Sequence, residues 1–517
     1  MYKAILKALT ILTLILSSAI CTIGSHRPAT PIYPQDAEIE IVLAAGVTFP
    51  KDSVILSLYE GAIFSGTYYD GGKPYLRGAK IVNGNCKIKV PMQQPIAYFS
   101  LMALPDSTRQ DDFQDLLFAQ LIETGDKIKI NIAREDHPKM RKETFRFSFS
   151  GAGSQKLVCL RDMQLAAYQS QGDARVVLGD SVINDFNLYA IGRDNQLKVL
   201  EQYKPHLSEN AYLLIKLDVQ AFSNSQIYEM YRQQLKAARA ETVRNRICSL
   251  HKKLKLADLP FSSEVKQWSK YYTDMISGGQ VVSSLVASPD CKTPDFRQVY
   301  TRLFNDYKGT LRDKMLADFI IKYYPVIIDL DTLVRFAMKD MSEPAYSRAV
   351  APYLHLKGGS PAFSFSLKDV KGQLRTLDEM KGKVVFIDFW FTGCTPCKAL
   401  YEFQLKKVKA AFADNPAVVF VTISIDKNFE LWVKSVDKGL YTDAHAINLY
   451  TNGEGRDHPI ITHYGIKGYP ATLLIDQVGN VVAAETTNDL KSAATITNYI
   501  KALLVKGQSQ VNVNKKD

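Results

Sequence analysis

The residues with chemistry to offer stand near the C-terminal end: Trp390-Phe-Thr-Gly-Cys394-Thr-Pro-Cys397-Lys398, preceded by the apolar run Lys383-Val-Val-Phe-Ile-Asp388-Phe389. Cysteines separated by two residues at a strand-to-helix junction can close a small disulfide that opens easily, which is redox chemistry rather than scaffolding. Zinc would use the same pair, but zinc takes about four ligands. No second CxxC and no suitable histidine pair accompanies Cys394 and Cys397, and His458 and His463 read as loop residues. The reading is a redox pair with no metal and no cofactor.

The neighbours fit that chemistry. Cys394 is expected at a helix N-terminus, where unpaired amides and the helix dipole favour an anion. The thiolate is the nucleophile in disulfide exchange, so a lowered thiol pKa raises reactivity near neutral pH. Cys397 falls one turn inside the helix, shielded and placed to attack a mixed disulfide. Pro396 suits the first turn, where its missing N–H costs little. Lys398 reads equally as a useful positive charge or as plain surface. Asp388 interrupts an apolar strand; an ionised, unpaired carboxylate there is costly, so its proton affinity should rise.

Residues 358–505 resemble the thioredoxin-like domain of the TlpA/ResA family of periplasmic thiol-disulfide oxidoreductases, through Phe389-Trp390, Cys394-x-x-Cys397 and Gly468-Tyr469-Pro470-Ala471-Thr472, followed by a strand ending in Asp476. The resemblance covers under a third of the chain. It implies that Cys394 attacks, that Cys397 resolves by closing the Cys394–Cys397 disulfide, and that Asp388 accepts the proton of the second cysteine. It implies a cis-proline at Pro470 whose loop offers a backbone edge to an extended substrate, with Trp390, Tyr469 and Thr472 as substrate contacts. The implied partners are protein thiols and disulfides, haem-binding apocytochromes among them, and a membrane thiol-transfer protein that donates electrons. Some positions depart from the family pattern. Gly393 replaces the usual Trp, Leu400 and Tyr401 occupy the usual acidic position, and Val418 to Ile425 lacks the lysine that often partners the buried acid. Thr395-Pro396 carries no histidine, which points to a reductant rather than a strong oxidant. A thiol peroxidase is a second reading, since Thr392 precedes Cys394, although the proline of such loops is missing. A third is a binding protein whose redox module is secondary.

A chain of 517 residues exceeds one core and predicts about three domains. The fold class expected is multidomain α+β, with a β-rich N-terminal domain, a helical middle and a thioredoxin-like α/β domain at the C-terminus. Residues 1–25 read as a signal peptide: Lys3 and Lys7, then the apolar run Ala8 to Leu16, then Ser17-Ser-Ala19. The protein is therefore expected in the periplasm or cell envelope. Membrane attachment through the N-terminus is an alternative, and Ile20 before Cys21 argues against a lipid anchor. Residues 30–153 read as a sandwich-like domain: 38–43, 54–58, 86–90, 127–132 and 144–149 alternate or carry β-branched residues, and Phe145, Phe147 and Phe149 share a face. Residues 154–356 read as helical, with faces Tyr212/Ile215/Val219/Phe222 and Leu316/Phe319/Ile320/Tyr323. Lys357-Gly-Gly-Ser-Pro361 is a linker, residues 357–507 form the redox domain and 508–517 a polar tail. Within the redox domain the order β-α-β then β-β-α implies a mixed sheet with helices on both faces.

The other cysteines are scattered; Cys86 and Cys159 read as buried thiols, and a Cys248–Cys291 bridge is open. A net charge of +11 is modest for this length. The basic stretch from Lys236 to Lys255 lacks interleaved aromatics and reads as a solvated helix face, so no nucleic-acid partner is expected.

Overall fold

Alternating side chains build the first unit. The computed structural model describes residues 36–513 except 50–51, 62–63, 66–67, 70–74, 104–113, 136–143, 175–180, 238–240, 243, 246–247, 250–258, 289–292, 325, 328, 356–358, 467, 485–489 and 491. The expected leader, Cys21 and Cys291 lie outside the described residues, as do most of the basic stretch and the start of the linker. Ten strands come first: β1 (Ala37–Leu43), β2 (Ser53–Tyr59), β3 (Phe64–Ser65), β4 (Tyr68–Tyr69), β5 (Tyr75–Lys80), β6 (Asn85–Val90), β7 (Ile96–Ala103), β8 (Gln114–Glu123), β9 (Lys127–Glu135) and β10 (Thr144–Ala152). Two four-stranded sheets result, ordered β10-β9-β1-β6 and β5-β2-β7-β8. Ile39, Ile41, Ile88 and Ile130 from one sheet share a core with Val54, Leu56, Phe99 and Leu101 from the other, which is a sandwich. Cys86 is buried in that core, and burial pushes its thiol up to about 11.

The helical unit follows: α1 (Gln155–Ala174), α2 (Ser181–Tyr203), α3 (Glu209–Ala237), α4 (Ser263–Trp268), α5 (Tyr272–Ala287), α6 (Phe296–Asp306), α7 (Gly309–Tyr323), α8 (Leu330–Asp340) and α9 (Pro344–Val350). Leu316, Phe319, Ile320 and Tyr323 are all buried on α7. On α3 the expected face holds through Val219, but Phe222 is 40% exposed and packs at a tilt on Tyr271 instead, with ring centroids 5.0 Å apart. Cys159 is buried on α1, its thiol pushed up to about 12 by burial and by Asp162. Lys156 clamps α1 to the β8–β9 turn: its ammonium lies 2.8 Å from Asp126 and 3.0 Å from Glu123 and is almost fully buried.

The last unit contains β11 (Ser366–Asp369), β12 (Leu374–Thr376), β13 (Val384–Trp390), α10 (Thr395–Leu400), α11 (Lys406–Ala411), β14 (Val418–Ser424), α12 (Phe429–Asp437), β15 (Ile447–Tyr450), α13 (Pro459–His463), β16 (Ala471–Ile475), β17 (Val481–Ala484) and α14 (Ala493–Val513). A π-helical turn over Tyr401–Leu405 joins α10 to α11. The sheet runs β12-β11-β15-β14-β13-β16-β17, with β13, β14 and β15 parallel and β16 antiparallel to β13. Strand β15 and helix α12 are additions to the expected order. Their sequence, Phe429 to Tyr450, mixes polar and aromatic residues without a clean period. The final helix extends to Val513, so part of the expected polar tail is helical.

Strand β13 is buried along all seven residues, which explains its unbroken apolar run. Val384 and Phe386 pack under α10, α11 and α14. Val385, Ile387 and Phe389 face the other way, into a core continuous with Tyr346, Val350 and Tyr353 of the helical unit. The helical unit thus backs the sheet that carries the cysteines. Lys156→Met is expected to cost about 3 kcal/mol, because two largely buried carboxylates lose their cation. The denaturant midpoint of the full chain measures this, and an unchanged midpoint would show that the clamp carries no stability.

Candidate redox site

Strand β13 ends at Trp390, and four residues later Cys394 caps the N-terminus of α10. The turn between them needs glycine: Gly393 has φ +100, a region that side chains disfavour. Its N–H donates to Tyr441 Oη at 2.9 Å. Just before it, Thr392 donates from both its backbone N–H (3.0 Å) and its hydroxyl (2.7 Å) to Asp426. Burial raises the pKa of Asp426, and these hydrogen bonds with one from Ser424 push back. The loop before the first cysteine is therefore held at two points.

Cys394 and Cys397 are joined in a disulfide, with Cα atoms 5.3 Å apart. The Cys394 sulfur accepts the Cys397 backbone N–H at 3.1 Å, so a helix amide already points at the first sulfur. Cys394 is 3% exposed and Cys397 1%. The pair sits in an aromatic box with Trp390, Trp432, Tyr441 and Tyr450. Trp390 stacks on Tyr441 at 4.7 Å and Trp432 on Tyr450 at 5.1 Å. Stacked pairs of this kind contribute about 0.5–1.5 kcal/mol each beyond area burial.

The other expected residues fall at three places. Asp388 is 2% exposed, two residues below Trp390 on the same face of β13, toward the cysteine helix. Tyr469 packs on the aromatic box, its ring edge-on to Phe391 at 5.6 Å and 5.6 Å from the Arg456 guanidinium. Pro470 follows it through a cis peptide bond. Thr472 is buried inside the sheet. It is 3% exposed, pairs with Asp388 across the β13–β16 ladder, and donates to Leu490 O at 3.3 Å. It lies two residues beyond the proline, level with Asp388 on the same face of the sheet.

Lys398 is exposed, whereas Leu400 and Tyr401 are buried in the core beneath the helix, which accounts for their apolar character. His458 Nδ1 accepts the Ile460 N–H and so caps α13, while the His463 ring packs at a tilt on Phe363, centroids 5.0 Å apart. Both have structural contacts. Trp432, Tyr441, Tyr450 and Asp426 went unread in the sequence. They come from the stretch after β14, where no element was assigned; only the polar ending of the apolar strand, Ser424-Ile-Asp426, marks one of them.

A mixed sheet with a disulfide at the start of the helix after its central strand defines a thioredoxin-like oxidoreductase. The Redoxin family model matches residues 357–503. The thioredoxin-like protein YneN of Bacillus subtilis is 30% identical over 124 residues, 24% of this chain and 68% of that protein. The thiol-disulfide oxidoreductase ResA of the same organism is 26% identical over 141 residues, 27% of this chain and 74% of ResA. Among solved structures, the thioredoxin domain of a thiol-disulfide oxidoreductase from Bacteroides vulgatus is 29% identical, with 28% of this chain and 99% of that chain covered and a TM-score of 0.25. The chain belongs, through its C-terminal domain, to the thioredoxin-like thiol-disulfide oxidoreductases.

Tyr441→Phe keeps the stack on Trp390 and loses the contact to Gly393, so it is expected to cost about 1 kcal/mol. Tyr441→Ala also loses the ring and should cost about 3–5 kcal/mol. Denaturation followed by tryptophan fluorescence gives the order, and equal effects would mean that the ring contributes nothing.

Proposed function

We propose that this is an exported disulfide reductase acting on protein cysteines. The observation that carries the reading is the Cys394–Cys397 disulfide at the start of α10, with its first sulfur on a helix amide and a buried carboxylate on the strand behind it. In the reduced protein Cys394 attacks the client disulfide as a thiolate. Cys397 then attacks Cys394, and the client leaves reduced. Asp388 takes the proton of Cys397. The loop of Tyr469 and Pro470 holds an extended client segment beside the disulfide, with Trp390 forming the floor. Thr472 shapes that loop from within.

Supporting a protein client is the aromatic surface of Phe391 and Tyr469, partly buried and adjoining the cysteines. Favouring reduction is the Thr395-Pro396 dipeptide, which lacks a histidine to stabilise the thiolate further. Electrons come from a membrane thiol-transfer protein, and export rests on the leader-like residues 1–25. Among the described residues no helix is long and apolar enough to cross a membrane. The Thr392 hydroxyl is committed to Asp426 and Ser435, so the peroxidase reading gains no support from it. The sandwich and helical units select or hold the client.

Cys397→Ala is the test. Expressed in cells, it should accumulate mixed disulfides through Cys394 that dithiothreitol releases, whereas Cys394→Ala should accumulate none. An empty trap would remove protein disulfides as substrates. The reduction potential should lie near thioredoxin's value of about −270 mV, and a value near the −120 mV or so of the oxidant DsbA would reverse the direction.

A further inference from the structure

Where the β5-β2-β7-β8 sheet packs on the helical unit, a cleft of about 330 Å³ remains, lined from β7 and β8, from α1 to α3 and from the α4–α5 junction. Its walls are apolar: Leu160 and Met163 of α1, Ile215 and Val219 of α3, with Phe118 and Phe222 exposed to solvent. The backbone beside it is strained. Phe118 and Ala119 of β8 together stand opposite Ser100 of β7, which is a bulge. Ala119 lies at φ +47, a left-handed conformation that is unfavourable for alanine. Ser100 Oγ accepts its N–H at 3.0 Å, and its carbonyl accepts Lys270 Nζ at 3.2 Å, so both of its backbone groups are held. Bulges and strained residues of this kind concentrate beside sites that bind.

The polar groups of the cleft are unequally satisfied. Asp218, buried on α3, accepts Tyr98 Oη at 2.6 Å and Ser269 Oγ at 2.5 Å, one on each oxygen. Burial raises its pKa, and Lys270, these two hydroxyls and Lys314 push back. Lys314 itself is committed to the carbonyls of Gln267 and Ser269 at 2.6 and 2.8 Å. Lys270 is the one cation lining the cleft among the described residues. Its ammonium lies 4.8 Å from the centre of the Tyr98 ring and 5.2 Å from that of Tyr271. Its one hydrogen bond among the described residues goes to Ala119, although an ammonium carries three donors. Burial pulls its pKa below the ordinary value, and Asp218 pushes back. Asp218 is thus supplied with donors, whereas Lys270 has donors to spare, and a partly buried cation in that position is completed by an anion.

We propose that this cleft binds a small monocarboxylate with an apolar body, its carboxylate on the Lys270 ammonium and its body against Met163, Ile215, Val219 and Phe118. A single ammonium with no guanidinium beside it suits one negative charge rather than the several of a phosphate. At about 30 Å³ for each water-sized group, the cleft holds about ten non-hydrogen atoms. A fatty acid of about eight carbons has that size, one charge and an apolar remainder. The site belongs to the sandwich and helical units alone. It is independent of the direction and the client proposed for Cys394 and Cys397, and it gives the units ahead of the redox domain a ligand of their own.

Calorimetric titration of the full-length protein with sodium octanoate tests this, with 1-octanol as the uncharged counterpart. Octanoate should bind at a single site, and octanol about tenfold more weakly or worse. Lys270→Met should weaken octanoate by about tenfold or more, because a charge-assisted hydrogen bond is lost, and leave octanol unchanged. Gln164 lines the cleft from an exposed position on α1, so Gln164→Trp fills the cleft without disturbing a core and should weaken both ligands. The denaturant midpoint of each variant checks folding. Should Lys270→Met not fold, the octanol comparison and Gln164→Trp still decide. No octanoate binding to the wild type overturns the proposal, as does equal affinity for octanol. Octanoate binding that folded Lys270→Met or Gln164→Trp leaves unchanged overturns it too, since the ligand then sits elsewhere on the surface.

Discussion

A strand that water does not reach has to end in a reactive sulfur, and most of the redox domain answers that requirement. β13 is buried along its whole length, which makes it stiff and precisely placed but hostile to charge. The first sulfur of the disulfide therefore lies beyond the strand, where the first turn of α10 supplies unpaired amides. The Cys397 N–H on the Cys394 sulfur is the visible part of that supply. The one carboxylate left within the strand, Asp388, is flanked across the sheet by Thr422 and Thr472 rather than by leucines.

The same requirement explains the aromatic box. A disulfide that must open and close needs neighbours that keep it dry without bonding to it. Trp390, Trp432, Tyr441 and Tyr450 fill that space, and two of the four also anchor backbone: Tyr441 takes the Gly393 N–H and Tyr450 donates to Lys427 O. The turn that aims Cys394 is thus stabilised by the residues that shield it. Behind the sheet, the core shared with the helical unit holds Val385, Ile387 and Phe389 in place, so the redox domain does not stand alone on that side.

Much of this was legible in the chain. The apolar run from Val384 and the CxxC after it located the central strand and the helix start, because strand burial and helix capping leave local signatures. Alternation located five of the sandwich strands and the buried Cys86. It missed β3, β4, β5 and β8, and also β7, which is buried along nearly its whole length and so shows no alternation. β15 and the aromatic wall were illegible for another reason: Trp432, Tyr441 and Tyr450 meet only after the sheet forms, and no local period links them. Thr472 was read beside Pro470 as a substrate contact; the structure buries it level with Asp388 across the β13–β16 ladder.

The account depends most on Cys394 being the ionised, reachable sulfur and Cys397 the shielded one. Alkylation of the reduced full-length protein with iodoacetamide across pH, with each site followed by mass spectrometry, measures this directly. Cys394 should react alone in the native state, with a midpoint well below the free-thiol value of about 8.5. A midpoint at or above that value, or earlier modification of Cys397, would contradict it.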